Sequence, residues 1–167
     1  MKTYLSISLF IIFIVSASSQ NLTKKSEVEK IFKETLLKSR DYVKTATNEW
    51  RYDNTKEDYF INDTIILNSA RSYRQSNCKE VSWSFFDLSK LTIDIIPECT
   101  EPPTKLTGNK NEYLEIDLRQ ENSRTLIYLF SEEFIEDKFE VLSLVENEPI
   151  DNELNSFDYT LKLLRIK

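Results

Sequence analysis

From Trp50 to the C-terminus, apolar residues recur at every second position in short segments separated by polar turns. This alternation belongs to strands that set one face in a core and the other in water. It is clearest at Val81/Trp83/Phe85, Leu91/Ile93/Ile95, Leu114/Ile116/Leu118 and Tyr159/Leu161/Leu163. The pattern predicts eight strands: Asn48–Asp53, Asp63–Asn68, Cys78–Phe86, Lys90–Ile96, Asn111–Arg119, Arg124–Phe130, Lys138–Val145 and Asp158–Ile166. Only Asp87, Leu88 and Ser89 separate the third from the fourth, so these two form a tight antiparallel hairpin, with Trp83 opposite Ile93 or Ile95 to match the apolar faces. The chain has a single glycine, Gly108, so turns that need positive φ fall on Asn and Asp, and Asn109, Asn122 and Asp137 stand where such turns are expected. Eight successive antiparallel strands remove their edges best by closing into an up-and-down barrel. A barrel of eight strands is filled by its own side chains or holds one small ligand. The expected fold is therefore mainly β, an eight-stranded antiparallel up-and-down barrel, closed or partly open. A two-sheet sandwich of the same strands is the alternative.

A different period precedes the strands. Val28, Ile31, Phe32, Thr35, Leu36, Ser39 and Tyr42 fall at three- and four-residue steps, which predicts one N-terminal amphipathic helix within residues 20–47. Ser26, with Glu29 three residues on, fits a capping box at its start. The polar face mixes Lys24, Lys25, Lys30 and Lys33 with Glu27, Glu29 and Glu34, so the helix reads as packed on its own domain rather than laid on a membrane.

At the N-terminus, Lys2, the apolar run Tyr4–Val15 and the small residues Ser16, Ala17, Ser18 and Ser19 make the three-part build of a secretory signal peptide, with cleavage expected before Gln20. The run is shorter than the roughly 20 residues of a bilayer-crossing helix, so a secreted or periplasmic protein without stable membrane insertion is expected. Removing the first 19 of 167 residues leaves 148, the size of one domain, with residues 48–167 as the barrel. The net charge of −6 argues against nucleic acid and anionic membranes as partners.

In an exported chain the even pair Cys78 and Cys99 reads as a disulfide across the open end of the central hairpin. The loop it closes, of about 20 residues, makes the bond worth roughly 3 kcal/mol. Strict pairing leaves the two cysteines one residue out of line, a slip for a bulge or for Pro97 to absorb.

The layout over residues 48–167 resembles the lipocalin-like domains of small secreted bacterial proteins, within the lipocalin and fatty-acid-binding barrel group. Asn48-Glu49-Trp50 stands where that family has Gly-x-Trp at the start of its first strand, and Leu163-Leu164-Arg165 where it has a basic residue in the last. The resemblance implies that Arg165 lies across the Trp50 ring as a barrel-closing pair. It also implies a small apolar molecule in the barrel or a partner protein at the rim. The chain departs from the family in having Asn48 for Gly, no Thr-Asp-Tyr motif and an added helix.

Catalytic chemistry finds little support. The chain has 0 His, which removes the commonest general base and metal ligand and every Ser-His or Cys-His arrangement. Ser76-Asn77-Cys78-Lys79 matches an S-x-x-K pattern, but the accompanying Ser and Lys motifs of penicillin-recognising enzymes are missing. The acidic runs Glu132/Glu133/Glu136/Asp137 and Glu146/Glu148/Asp151/Glu153 lack the alternating ligands and turn glycine of a calcium loop, and read as solvated turns. Asn21 and Asn62 begin N-glycosylation acceptor sequences.

Strand aromatics serve a core or a pocket equally well, and Tyr52, Trp83, Phe85, Tyr128 and Phe130 are the candidate ligand-lining set. These readings together describe a non-enzymatic exported binding protein, monomeric, with no metal or cofactor. Its ligand is a small apolar molecule in the barrel. The alternative is a protein-partner module whose barrel is filled.

Overall fold

The computed structural model of the protein describes residues 23–42, 48–70, 79–96, 106–107, 113–132, 134–148 and 157–167. The helix α1 spans Lys25–Tyr42. Among the described residues nine strands follow: β1 Asn48–Asp53, β2 Thr64–Ala70, β3 Glu80–Phe85, β4 Lys90–Ile96, β5 Leu106–Thr107, β6 Leu114–Glu121, β7 Arg124–Ser131, β8 Phe134–Glu146 and β9 Phe157–Arg165. Eight of them close into an antiparallel barrel in the order β3-β1-β2-β9-β8-β7-β6-β4, sealed by the β3–β4 pairing, while β5 adds a two-residue flap on β4. The closed eight-stranded barrel and its single N-terminal helix match the sequence expectation, and the arrangement is consistent with a lipocalin-like fold.

The strand order differs from a simple up-and-down meander by an exchange of β1 and β2, so that β2, not β1, pairs with β9. β3 pairs with β1, Trp83 opposite Trp50, and not with β2, which precedes it in the chain. Pairing β3 to β1 sets Val81, Trp83 and Phe85 beside Tyr52, Trp50 and Asn48, joining the two strongest aromatic faces of the chain in one wall. The central hairpin takes the register Trp83↔Ile93. Cys78 and Cys99 lie outside the described residues, as do residues 1–22 with the expected signal peptide and Asn21.

The core fills the barrel lumen: Trp50, Trp83, Phe85, Ile65, Leu67, Leu91, Ile127, Leu129, Phe139, Leu161 and Leu163 are all at most 1% exposed. Phe139 tilts against Trp83 at 5.4 Å between centroids. The wall of β3 and β4 departs from the expected single wet face. Glu80, Ser82, Ser84, Thr92 and Asp94 on its outer side are buried too, and Ser84 and Thr92 donate to one carboxylate oxygen of Asp94 at 2.7 and 3.3 Å. Such pairing offsets the cost of taking polar groups out of water.

Two further expectations are corrected. The first intrahelical bonds of α1 run from Glu27 and Val28 N–H to the Lys24 carbonyl, so Lys24, not Ser26, stands at the cap position. The cap itself comes from the barrel: the Lys25 N–H donates to Gln120 Oε1 at 3.0 Å, and Thr125 Oγ1 donates to the Thr23 carbonyl at 2.6 Å. Among the turns, Asn122 and Ser123 both have positive φ, 48° and 67°, the pattern of a two-residue type I′ hairpin. Asp137 is instead a strand residue of β8, and Glu132 takes the left-handed position before that strand.

Candidate functional site

The two ends of the barrel are closed differently. At one end the loop 54–63 between β1 and β2 folds inward and seats Tyr59 as a plug, 1% exposed. Trp83 Nε1 donates to the Tyr59 hydroxyl at 2.7 Å, and the Tyr52 ring meets the Tyr59 ring edge-on at 5.4 Å. Burial pushes the Tyr59 phenol far above its ordinary pKa, so it stays neutral and keeps its proton. Tyr52 donates to Asp58 at 2.6 Å and accepts from Asn62 Nδ2 at 3.2 Å, which engages the amide of the second glycosylation acceptor.

Arg165 fastens this plug. Its Nε donates to Asp137 at 2.9 Å and its Nη1 to the Tyr59 and Asn62 carbonyls at 3.0 and 3.2 Å, while the guanidinium lies 5.4 Å from the Tyr59 ring and 5.2 Å from the Phe139 ring. Burial raises the Asp137 carboxyl despite the cation beside it. The expected Trp50–Arg165 pair does not form. Trp50 is level with Ser69, Ser69 is level with Tyr159, and Arg165 lies six residues further along β9, where its guanidinium reaches the Tyr59 and Phe139 rings. A basic residue of the last strand does cross a barrel end over aromatic rings, but the rings are Tyr59 and Phe139. Trp50 sits instead under the helix at the opposite end.

There α1 spans the mouth. It is tied to β6 and β7 through Gln120 and Thr125, and to β1 through Asn48, whose Nδ2 donates to Thr35 Oγ1. Phe32 drops from its underside onto Trp50, with centroids 5.3 Å apart, and onto Phe85 at 4.8 Å. Val28 and Leu36 complete the buried stripe.

The lid leaves one side uncovered. β6 runs past the start of β4: among the described residues these strands pair at Lys90↔Glu115 and Leu91↔Leu114. Beyond that seam a cleft of about 540 Å³ opens between α1, the β3–β4 turn and the margin of β6, lined by Phe32, Leu88, Ile116 and Leu118 with Lys25, Lys30, Lys33, Glu29 and Asp117 around them. A second hollow of about 570 Å³ shares Lys25, Ser26 and Glu29 and carries the cleft on to Lys24, Gln120 and Ser123. This apolar floor with a mainly basic rim is the candidate binding site.

The candidate ligand-lining residues do not form one site. Tyr52, Trp83 and Phe85 face the lumen as core. Tyr128 and Phe130 face outward, their rings stacked at 6.0 Å, with Tyr128 between Arg119 at 4.5 Å and Lys138 at 4.6 Å. Alternation assigns residues to two faces, and these five divide between both. Lys79 of the S-x-x-K match is paired with Glu57, while Ser76, Asn77 and Cys78 lie outside the described residues. Among the described residues no group of three His, Cys, Asp or Glu is placed to hold a metal ion, and no helix is long and apolar enough to cross a membrane. Sequence reasoning missed Tyr59, Gln120 and Leu88, which sit in loops or at strand ends where no periodicity marks them. No protein-family model, curated protein or solved structure matches the chain.

Proposed function

We propose that this is a non-enzymatic exported binding protein that works through the lid-side cleft, as a protein-partner module with a filled barrel. The observation that carries this reading is the occupied lumen. Trp50, Trp83, Tyr59, Phe32, Phe85 and Phe139 are all essentially inaccessible, and the tyrosine plug and the helix cover the two ends. A small apolar ligand would have to displace that core, whereas the cleft is already open and sets the exposed Leu88 beside cationic side chains. The signal-like leader and the absence of His support export and binding rather than catalysis.

One observation favours the small-ligand alternative. Trp50 Nε1 and Ser69 Oγ, on register partners, are buried and have no hydrogen-bond partner. A ligand or water oxygen in the upper lumen would satisfy both. Native mass spectrometry of protein purified from its own source separates the readings. A co-purifying polypeptide agrees with the partner module; a stoichiometric small molecule that survives desalting would overturn it.

A further inference from the structure

The margin of β6 that borders the cleft is an unpaired sheet edge. Ile116 N–H donates away from β7, to the Ser89 carbonyl at 2.9 Å. The period of two then turns the N–H and C=O of Leu118 and Gln120 the same way, along the cleft. Among the described residues these peptide groups have no backbone partner, since β4 reaches only Leu114 and Glu115. Donors and acceptors at strand spacing form a template for one more strand.

We infer that this edge takes up an extended segment of a partner protein, with alternating apolar and acidic residues, as an added strand along β6 in the cleft beside α1. This rests on the proposed partner-module function and names its mode. Three features select the occupant. The peptide groups of Leu118 and Gln120, turned away from β7 and without a backbone partner among the described residues, require an extended backbone. On one face of the incoming strand, Leu88 offers exposed apolar contact over the buried edges of Ile116 and Leu118. Around the other, cations outnumber anions: Lys24, Lys25, Lys30 and Lys33 stand against Glu29 and Asp117. Of these, Lys25 pairs with Glu29, Lys30 with Glu34 and Asp117 with Arg119, which leaves Lys24 and Lys33 to meet incoming carboxylates. This basic patch lies on a chain of net charge −6, so it complements an acidic segment where the rest of the surface repels one.

The test uses the purified full chain and an alternating glutamate–valine heptapeptide, with the lysine–valine heptapeptide as control. Binding is followed by calorimetry, and amide hydrogen exchange is read residue by residue. The glutamate peptide is expected to bind and to slow exchange at Leu118 and Gln120 at least tenfold, and the lysine peptide is not. The double variant Lys24→Glu/Lys33→Glu, which touches only exposed side chains, is expected to weaken binding about tenfold at low salt while leaving the melting temperature unchanged. Equal binding of both peptides, protection at amides away from this edge, or no binding overturns the inference. Protection of Leu118 and Gln120 that grows with protein concentration alone would also overturn it, by assigning the edge to a second copy. A polypeptide that co-purifies yet leaves these two amides unprotected sinks the strand-addition mode while the partner-module reading stands. A small molecule in the lumen sinks that reading by itself.

Discussion

Phe32→Ala is the substitution that most directly weighs the helix as a structural lid. The ring is 1% exposed and touches Trp50 and Phe85, so its removal exposes or empties the contact beneath α1. A buried phenylalanine removes about 150–200 Å² from water, worth about 4–5 kcal/mol at about 25 cal/mol per Å². The two ring pairs add about 0.5–1.5 kcal/mol each. Partial collapse of the helix onto Trp50 returns some of this, which leaves an expected loss of about 3–5 kcal/mol. Urea unfolding followed by tryptophan emission measures the loss, with the slope of the transition checked against the parent protein. The same variant should speed hydrogen exchange along α1 and red-shift the emission of Trp50. A loss below about 1 kcal/mol, with α1 exchange unchanged, would show that the helix is held by its end contacts at Gln120, Thr125 and Asn48 and that the lid argument is wrong.

Four other outcomes follow from the same structure. Tyr59→Phe leaves the buried Trp83 N–H without its acceptor and should cost about 1–3 kcal/mol in chemical unfolding, far more than removal of an exposed hydroxyl. Ser123→Gly relieves a left-handed residue in the β6–β7 turn and should stabilise by about 0.5–1 kcal/mol, read as a rise in melting temperature. Hydrogen bonds from Lys79, Tyr52 and Lys167 hold the carboxyls of Glu57, Asp58 and Asp63 below the ordinary range. Their stabilisation is therefore present above the unfolded value of about pH 4 and lost as the pH falls through the lowered folded values; Asp137, shifted upward, opposes this, and a pH series of urea midpoints should fall below about pH 4. Exported protein should show no free thiol under denaturing, non-reducing conditions, whereas two titratable thiols would remove the Cys78–Cys99 bond.

What was legible in the sequence was local. The bounds of Asn48–Asp53 and Lys90–Ile96 agree with the structure, because polar turns flank clean alternation. β8 begins at Phe134, four residues before the expected Lys138, because the ladder shifts between Leu129 and Phe130 and the period breaks there. The β3–β1 pairing was not legible, since alternation identifies a strand's faces without naming its neighbours. Trp50 and Arg165 show the same limit along the strand axis. The pattern gives parity, but height on the barrel depends on register through β2 and β9. The cleft was hidden for a third reason. It exists because β6 outruns β4 and because Gln120, distant in sequence, caps α1.

The account turns on whether the lumen is filled, and an apolar fluorescent fatty acid titrated into the delipidated protein measures this directly. A filled barrel predicts no saturable uptake and unchanged emission from Trp50 and Trp83, the two tryptophans, both in the lumen. Stoichiometric micromolar binding with quenching of that emission would contradict it and return the protein to the small-ligand class.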